Sequence, residues 1–303
     1  MNRWKRFWDS DLVWSWRHSW LAMASTIVFV VMMVAAFGAP VLAPHNPFDL
    51  ATLNLMDSLK PPFWHVDADP VFPLGTDSQG RDMLSALMYG TRVSLLIGLA
   101  SVILAMIIGI VLGLLSGYLG GRLDAFIMRV ADVQLSFPAI LIALLIDGVA
   151  RAAVPKDMHD IIAFPVLIGA IALAGWPQYA RTVRGSTMVE KNREYVQAAK
   201  VIGISSPVIM FRHVLPNVAG PVLVLATVHL ATAIITEATL SFLGVGVPPT
   251  SPSLGTLIRV GNDFLFSGEW WVTIFPGLAL VLLVLSVNLL GDWLRDALNP
   301  KLN

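Results

Sequence analysis

Cysteine is absent from the 303-residue chain, which removes a disulfide scaffold, a thiol nucleophile and a thiolate metal site together. Charge is scarce as well. Asp, Glu, Lys and Arg make up 13% of the residues and cancel to a net charge of +0, a balance that argues against a nucleic-acid partner. No G-x-x-x-x-G-K-[ST] run occurs, so the chain offers no backbone nest for the phosphates of ATP and binds no nucleotide cofactor of its own. H-E-x-x-H metal spacing is missing, and no compact set of nucleophile, base and orienting group is visible, so the reading is of a non-enzyme without catalytic, cofactor or metal residues. A convincing internal repeat is also lacking, whereas inverted repeats would be expected of an ion-driven secondary transporter.

What fills the sequence is apolar: 56% of residues are hydrophobic and the mean hydropathy is +0.73, too high for an ordinary soluble globule. A helix crosses the roughly 30 Å hydrocarbon core with about 20 apolar residues, each rising about 1.5 Å. Residues 21–42, 93–119, 161–180 and 270–291 contain no Asp, Glu, Lys or Arg, and residues 214–236 carry only His229 as a titratable group. A sixth span is expected over residues 133–150, beside Asp132 and including Asp147. The expected fold is all-α and polytopic, with about six transmembrane helices and lipid as its main solvent.

The residues before the first span mix Arg3, Lys5, Arg6 and Arg17 with Trp4, Phe7, Trp8, Leu12 and Trp16, which suits an interfacial helix. The first apolar run is longer than the core of a signal peptide, so an uncleaved anchor is expected. With the N-terminus in the cytoplasm, fourteen of the twenty Lys and Arg fall on inside segments; the positive-inside bias then places both termini in the cytoplasm. The chain divides into an N-terminal segment (1–20), the first span with an outer loop (21–92) and a core (93–303). Between residues 238 and 258, the closely spaced Gly and Pro residues make a continuous lipid-facing helix untenable, and a folded outer loop or re-entrant segment fits instead.

The long inside loop, about residues 184–216, contains EYVQAAKVIGISSPVIMFRHVLPN. Glu194 to Ile202 reads as a helix with Tyr195, Ala198, Ala199 and Ile202 on one face, and Gly203 as its left-handed stop. Ser206 can cap a second helix with Pro207 in its first turn, and Pro216 is expected to end it. The pair would present a flat patch at Ala198 and Ala199 to another protein.

This text resembles the cytoplasmic signature of bacterial ABC importer permeases, E-A-A, three residues, G, nine residues, I-x-L-P. Ala198, Ala199, Gly203, Leu215 and Pro216 fall in register; Gln197 replaces the signature Glu, His213 replaces the Ile, and Glu194 stands near enough to substitute for the missing carboxylate. LGTDSQGRDMLSALMYGTRVSLLIG, EATLSFLGVGVPPTSPSLG and NLLGDWLRDALNPKL narrow the resemblance to the second permease type of the dipeptide, oligopeptide and nickel branch. The resemblance implies a type I importer permease in a bacterial inner membrane. It implies pairing with a second homologous permease to form the pathway. It also implies two ABC ATPase subunits carrying ATP and Mg, docked on a coupling helix region at 195–213, and an external solute-binding protein. Peptides are the favoured solute.

Four polar residues in or near spans, Gln134, His229, Glu237 and Asn288, are costly against lipid and so are candidates for function. Gln134 and Asn288 suit interhelical hydrogen bonding, His229 divides between pathway lining and structure, and Glu237 is expected to brace the adjacent Gly/Pro loop. His229 and Glu237 would also be the groups available to an intramembrane enzyme, the rival reading. Asp77, Arg81 and Asp82 are expected to make a fixed outer turn with an internal salt bridge, with contact to the external binding protein as the sharper alternative. Asp292, Arg295 and Asp296, spaced i, i+3, i+4, are expected to form an exposed, paired helix end.

Overall fold

The computed structural model describes residues 11–49, 53–248 and 250–297. Ten helical elements organise them: α1 (Asp11–His18), α2 (Trp20–Leu42), α3 (Met83–Leu119), α4 (Gly121–Leu135), α5 (Ala139–Ala153), α6 (His159–Glu190), α7 (Glu194–Val201), α8 (Leu215–Phe242), α9 (Leu254–Asn262) and α10 (Trp271–Ala297). Five segments are long and apolar enough to cross a membrane, and α4 with α5 form a bent pair that makes a sixth if its two arms count as one span.

That sixth crossing corrects the expectation of one helix over residues 133–150. The chain breaks at Ser136–Pro138, and α4 and α5 meet at 94°, because Pro138 has no N–H to continue the ladder and disfavours a helical residue before it. Alone, the 15-residue α5 spans about 22 Å, short of a full crossing. The second span also begins earlier than residue 93. Asp82 caps α3 by accepting from the Ser85 N–H at 2.8 Å, so residues 83–92 belong to the same helix as the core.

Packing centres on α3 and α6, which run along one another. Gly109, Gly113 and Gly117 lie one turn apart on α3. A Cβ at Gly113 would stand 2.7 Å from both the Ala180 carbonyl oxygen and Val183 Cβ, and one at Gly109 2.3 Å from Tyr179 Cβ. The absence of three side chains thus lets two backbones touch, and the contact is built from van der Waals packing because lipid supplies no hydrophobic drive between spans. At one end of the seam the Arg184 guanidinium holds Asp124 of α4 with Nε–Oδ1 2.5 Å and Nη2–Oδ2 2.7 Å.

The interfacial helix is present as α1, with Trp16 Nε1 donating to Thr26 Oγ1 of α2 at 2.9 Å; Arg3, Trp4, Lys5, Arg6, Phe7 and Trp8 lie outside the described residues. The loop after α2 docks on the head of α10. Trp271 Nε1 donates to the Thr76 carbonyl at 3.1 Å, and Leu59 and Leu74 join Met83, Trp271 and Val272 in one cluster. Asp292, Arg295 and Asp296 are exposed at the end of α10, and among the described residues they form no ion pair with one another, since at an exposed helix end fixing two long side chains offsets the weak attraction.

The seam gives a direct test. Gly113→Ile forces Cβ against backbone, and overpacking of this kind costs about 1–3 kcal/mol or more; thermal unfolding of the detergent-solubilised chain is expected to shift to a clearly lower midpoint. Gly185→Ala, on the same end of α6 where an added Cβ meets nothing within 4 Å, is expected to leave the midpoint unchanged or slightly raised.

Candidate functional site

Two regions carry the predicted residues, one at the α6–α8 junction and one inside the helical body. In the first, α7 ends in a Schellman turn. Gly203 has φ +86°, its N–H reaches the Lys200 carbonyl, and the Ile204 N–H reaches the Ala199 carbonyl, both at 3.0 Å. A Cβ at Gly203 would meet nothing within 4 Å, so the need for glycine is conformational alone.

Beyond it, Ser205 rather than Ser206 is the N-cap, and its side chain makes no capping bond. Pro216 does not terminate the helix that follows. Residues 206–242 run on as one rod, with a π turn over Ile209–Val214 and Pro216 in the first turn of α8. Pro216 has no N–H for the Arg212 carbonyl and its ring would crowd it; the wider π turn, in which the Leu215 N–H bonds to the Met210 carbonyl, absorbs both problems.

The expected patch at Ala198 and Ala199 is also corrected. Ala198 is exposed, but Ala199 is buried with Val196, because 100° per residue turns neighbours onto different faces. The surface that does project is apolar and bulkier: Val201 is 89% and Ile202 77% exposed, joined by Val208 and Phe211 from the next element. Periodicity over residues 201–211 could have found it; the resemblance drew attention to the alanines instead.

A polar bracket holds this platform to the body. Tyr195 Oη donates to Glu190 Oε2 at 2.7 Å and accepts from Asn217 Nδ2 at 3.1 Å; burial and the Glu190 carboxylate raise the Tyr195 pKa, so it remains a donor at neutral pH. Asn217 also donates to the His213 carbonyl at 2.8 Å. Gln197 Nε2 donates to the Lys191 carbonyl, and Lys191 Nζ to the Gly117 carbonyl at the end of α3. Glu194 is exposed and no bond is seen for it among the described residues. The carboxylate engaged here is Glu190, which the sequence reading missed. Pro207 and Pro216 are exposed and Leu215 is partly buried.

In the second region, Ser101, Gly175 and His229 stand near the midpoints of α3, α6 and α8 and border a cavity of about 190 Å³. His229 Nε2 lies 2.7 Å from Gln178 Oε1, and Tyr179 packs edge-on against the imidazole with ring centroids 4.8 Å apart. Glu237 lies two turns further along α8, wholly buried, accepting from Ser94 Oγ at 2.7 Å and Ser241 Oγ at 2.8 Å. Ser94 Oγ accepts in turn from the Leu254 N–H, and Ser241 Oγ from the Val247 N–H, both at 3.3 Å. Glu237 thus ties α3, α8, the Gly/Pro loop and α9 together, and it shares no partner with His229; the two are not assembled into an acid–base pair. Asn288 is partly buried on α10 and does not border the cavity. Gln134 joins α4 to α6, donating to the Leu173 carbonyl and accepting from Trp176 Nε1 at 2.8 Å. No group of three or more His, Cys, Asp or Glu placed to hold a metal occurs among the described residues.

At the N-terminal head of α3, Arg81 Nε meets Asp77 Oδ2 at 2.6 Å, with the two side chains 2% and 1% exposed, while Asp77 Oδ1 accepts the Gln79 and Arg81 N–H groups. This burial leaves little of the turn for a partner to touch.

The arrangement is that of a helical membrane body with an exposed apolar surface on the loop between α6 and α8. Residues 109–303 match the family of binding-protein-dependent transport system inner membrane components, and residues 2–62 match the N-terminal transmembrane domain of oligopeptide transport permease C. The chain belongs to this family of inner-membrane permeases. It is 40% identical to the di/tripeptide transport system permease protein DppC of Pseudomonas aeruginosa, over 98% of this chain and 92% of the relative. It is 42% identical to the dipeptide transport system permease protein DppC of Escherichia coli K12, over 93% and 89%. An inward-facing MetNI methionine ABC transporter structure matches 72% of this chain and 98% of its own with TM-score 0.56 at 21% identity, which establishes the shared type I permease fold.

The Glu237 junction predicts a specific lesion. Glu237→Leu removes the acceptor from two buried serines, each orphaned hydroxyl costing about 1–3 kcal/mol; limited proteolysis is expected to cut residues 243–253 much faster than in the parent, while Asn288→Leu leaves that rate unchanged.

Proposed function

We propose that this permease forms half of a translocation pathway for di- and tripeptides or related small solutes, paired with a second homologous permease in a heterodimer. Two ABC ATPase subunits, which hold ATP and Mg, drive it by docking on the platform over residues 194–214, and an external binding protein delivers the solute. The names of the relatives at about 40% identity support the solute class. The observation that carries the coupling role is the exposed apolar surface of Val201, Ile202, Val208 and Phe211, displayed on a rigid bracket between two spanning helices; such a patch on a structured loop marks a protein contact. Both termini then lie in the cytoplasm, as the Lys and Arg distribution favours.

Two experiments test this reading. Gly203→Val places a β-branched residue at positive φ, a strain of about 1–3 kcal/mol, and Ile202→Asp puts a charge on the platform without touching the fold. Both variants are expected to insert and to retain the second permease in a membrane pull-down while losing the ATPase subunits or uncoupling hydrolysis from uptake; normal uptake in both overturns the assignment. For topology, tags near Met1 and after Asn303 should resist external protease in spheroplasts, and a tag near Asp67 should be cut.

A further inference from the structure

The cavity between α3, α6 and α8 has a chemical character that the pathway role alone does not require. Its polar border consists of Ser101, Gln178, His229, Thr232 and Thr236, and no Asp, Glu, Lys or Arg among the described residues borders it. Each of these groups has a defined remaining capacity. Thr232 and Thr236 donate to the carbonyls of Val228 and Thr232 at 3.2 and 2.8 Å, so within the cavity their oxygens act as acceptors. A ring nitrogen facing an amide oxygen donates to it, so His229 Nε2 carries the proton toward Gln178 and Nδ1 is left as an acceptor. Gly175 leaves that nitrogen uncovered, since a Cβ there would stand in van der Waals contact, 3.7 Å from Nδ1. Gln178 Nε2 is left to donate.

Ser101 supplies the decisive observation. Its side chain is 1% exposed, borders the cavity, and its Oγ has no hydrogen-bond partner among the described residues. Thr91, Thr232 and Thr236 satisfy themselves on their own helices. A buried hydroxyl without a partner in a polar cavity points to an occupant that supplies one.

We infer that this cavity is a subsite for the neutral amide of a peptide backbone: Ser101 and Gln178 donate to the amide carbonyl, and Thr232, Thr236 or His229 Nδ1 accept from the amide N–H. The inference rests on the peptide-pathway reading above. A site of matched donors and acceptors with no fixed charge holds what every peptide shares and stays indifferent to side-chain charge. Its 190 Å³ falls below the roughly 300–1,000 Å³ of a complete ligand pocket, as befits one wall of a pathway closed by a second subunit.

The test uses the complete importer with its binding protein in proteoliposomes, and the probes are radiolabelled Ala-Lys-Ala and Ala-Glu-Ala. Thr232 is exposed on the cavity wall, so Thr232→Asp and Thr232→Lys introduce opposite charges with little cost to folding. Relative to the parent, the Asp variant is expected to shift the uptake ratio toward Ala-Lys-Ala, and the Lys variant toward Ala-Glu-Ala. Each shift should be at least about fivefold, the effect of two charges in contact under aqueous screening. Ser101→Ala is expected to lower uptake of both peptides alike by about fivefold, one neutral hydrogen bond, with all subunits still recovered in the pull-down. Unshifted ratios in both Thr232 variants, or full uptake by Ser101→Ala, overturn the subsite while leaving the pathway reading intact. If the parent importer takes up neither peptide, the peptide-pathway reading fails, and the subsite falls with it.

Discussion

The contact on which the rest of the structure depends is the backbone approach of α3 to α6 through Gly109, Gly113 and Gly117. In lipid, two helices gain little by hiding apolar surface from one another, so association must come from close packing and from polar groups satisfied between them. Three glycines one turn apart provide the first, and the Arg184–Asp124 pair at the end of the seam provides the second. The seam brings Gln178 of α6 and Ser101 of α3 to the border of one cavity, where Tyr179 packs against His229. It also delivers the end of α6 beside the end of α3, where Lys191 closes onto the Gly117 carbonyl.

From that fixed edge the chain builds the platform and returns through α8. The two sides of the platform differ in kind. The α6 side is pinned to α3 by backbone contact, whereas α8 is entered through a π turn forced by Pro216. At its C-terminal end α8 is anchored again, by Glu237 and its serines, and α9 is clamped between α8 and α10, where a Cβ at Gly255 or Gly261 would fall 2.3 or 2.5 Å from a carbonyl oxygen. α8 is therefore anchored at its C-terminal end, packed at its middle against the cavity, and joined at its N-terminal end to the exposed apolar surface.

Much of this was legible in the residues. Five apolar runs, the Gly203 stop and the Asp77–Arg81 pair follow from span length, positive φ and side-chain reach. The break at Pro138 was written in the sequence but outweighed by the apolar run around it, and Pro216 was misread because a π turn leaves no signature that α-helical rules register. The G-x-x-x-G-x-x-x-G run at 109–117 was equally visible, yet spacing does not name the partner helix. Glu190 and Ser101 were invisible for a different reason: their meaning depends on groups that only the fold brings near, and on one that it does not bring near at all.

The distribution of charge explains why the centre is neutral. Arg81, Arg151 and Arg184 each meet a carboxylate within 2.6 Å, and the cavity at mid-helix is left to hydroxyls, an amide and an imidazole. A fixed charge at that depth would be costly, and it would hold an oppositely charged solute in proportion to that cost. A pathway must bind well enough to admit its solute and weakly enough to release it. Groups that form single neutral hydrogen bonds, each worth about 1 kcal/mol net, meet both conditions.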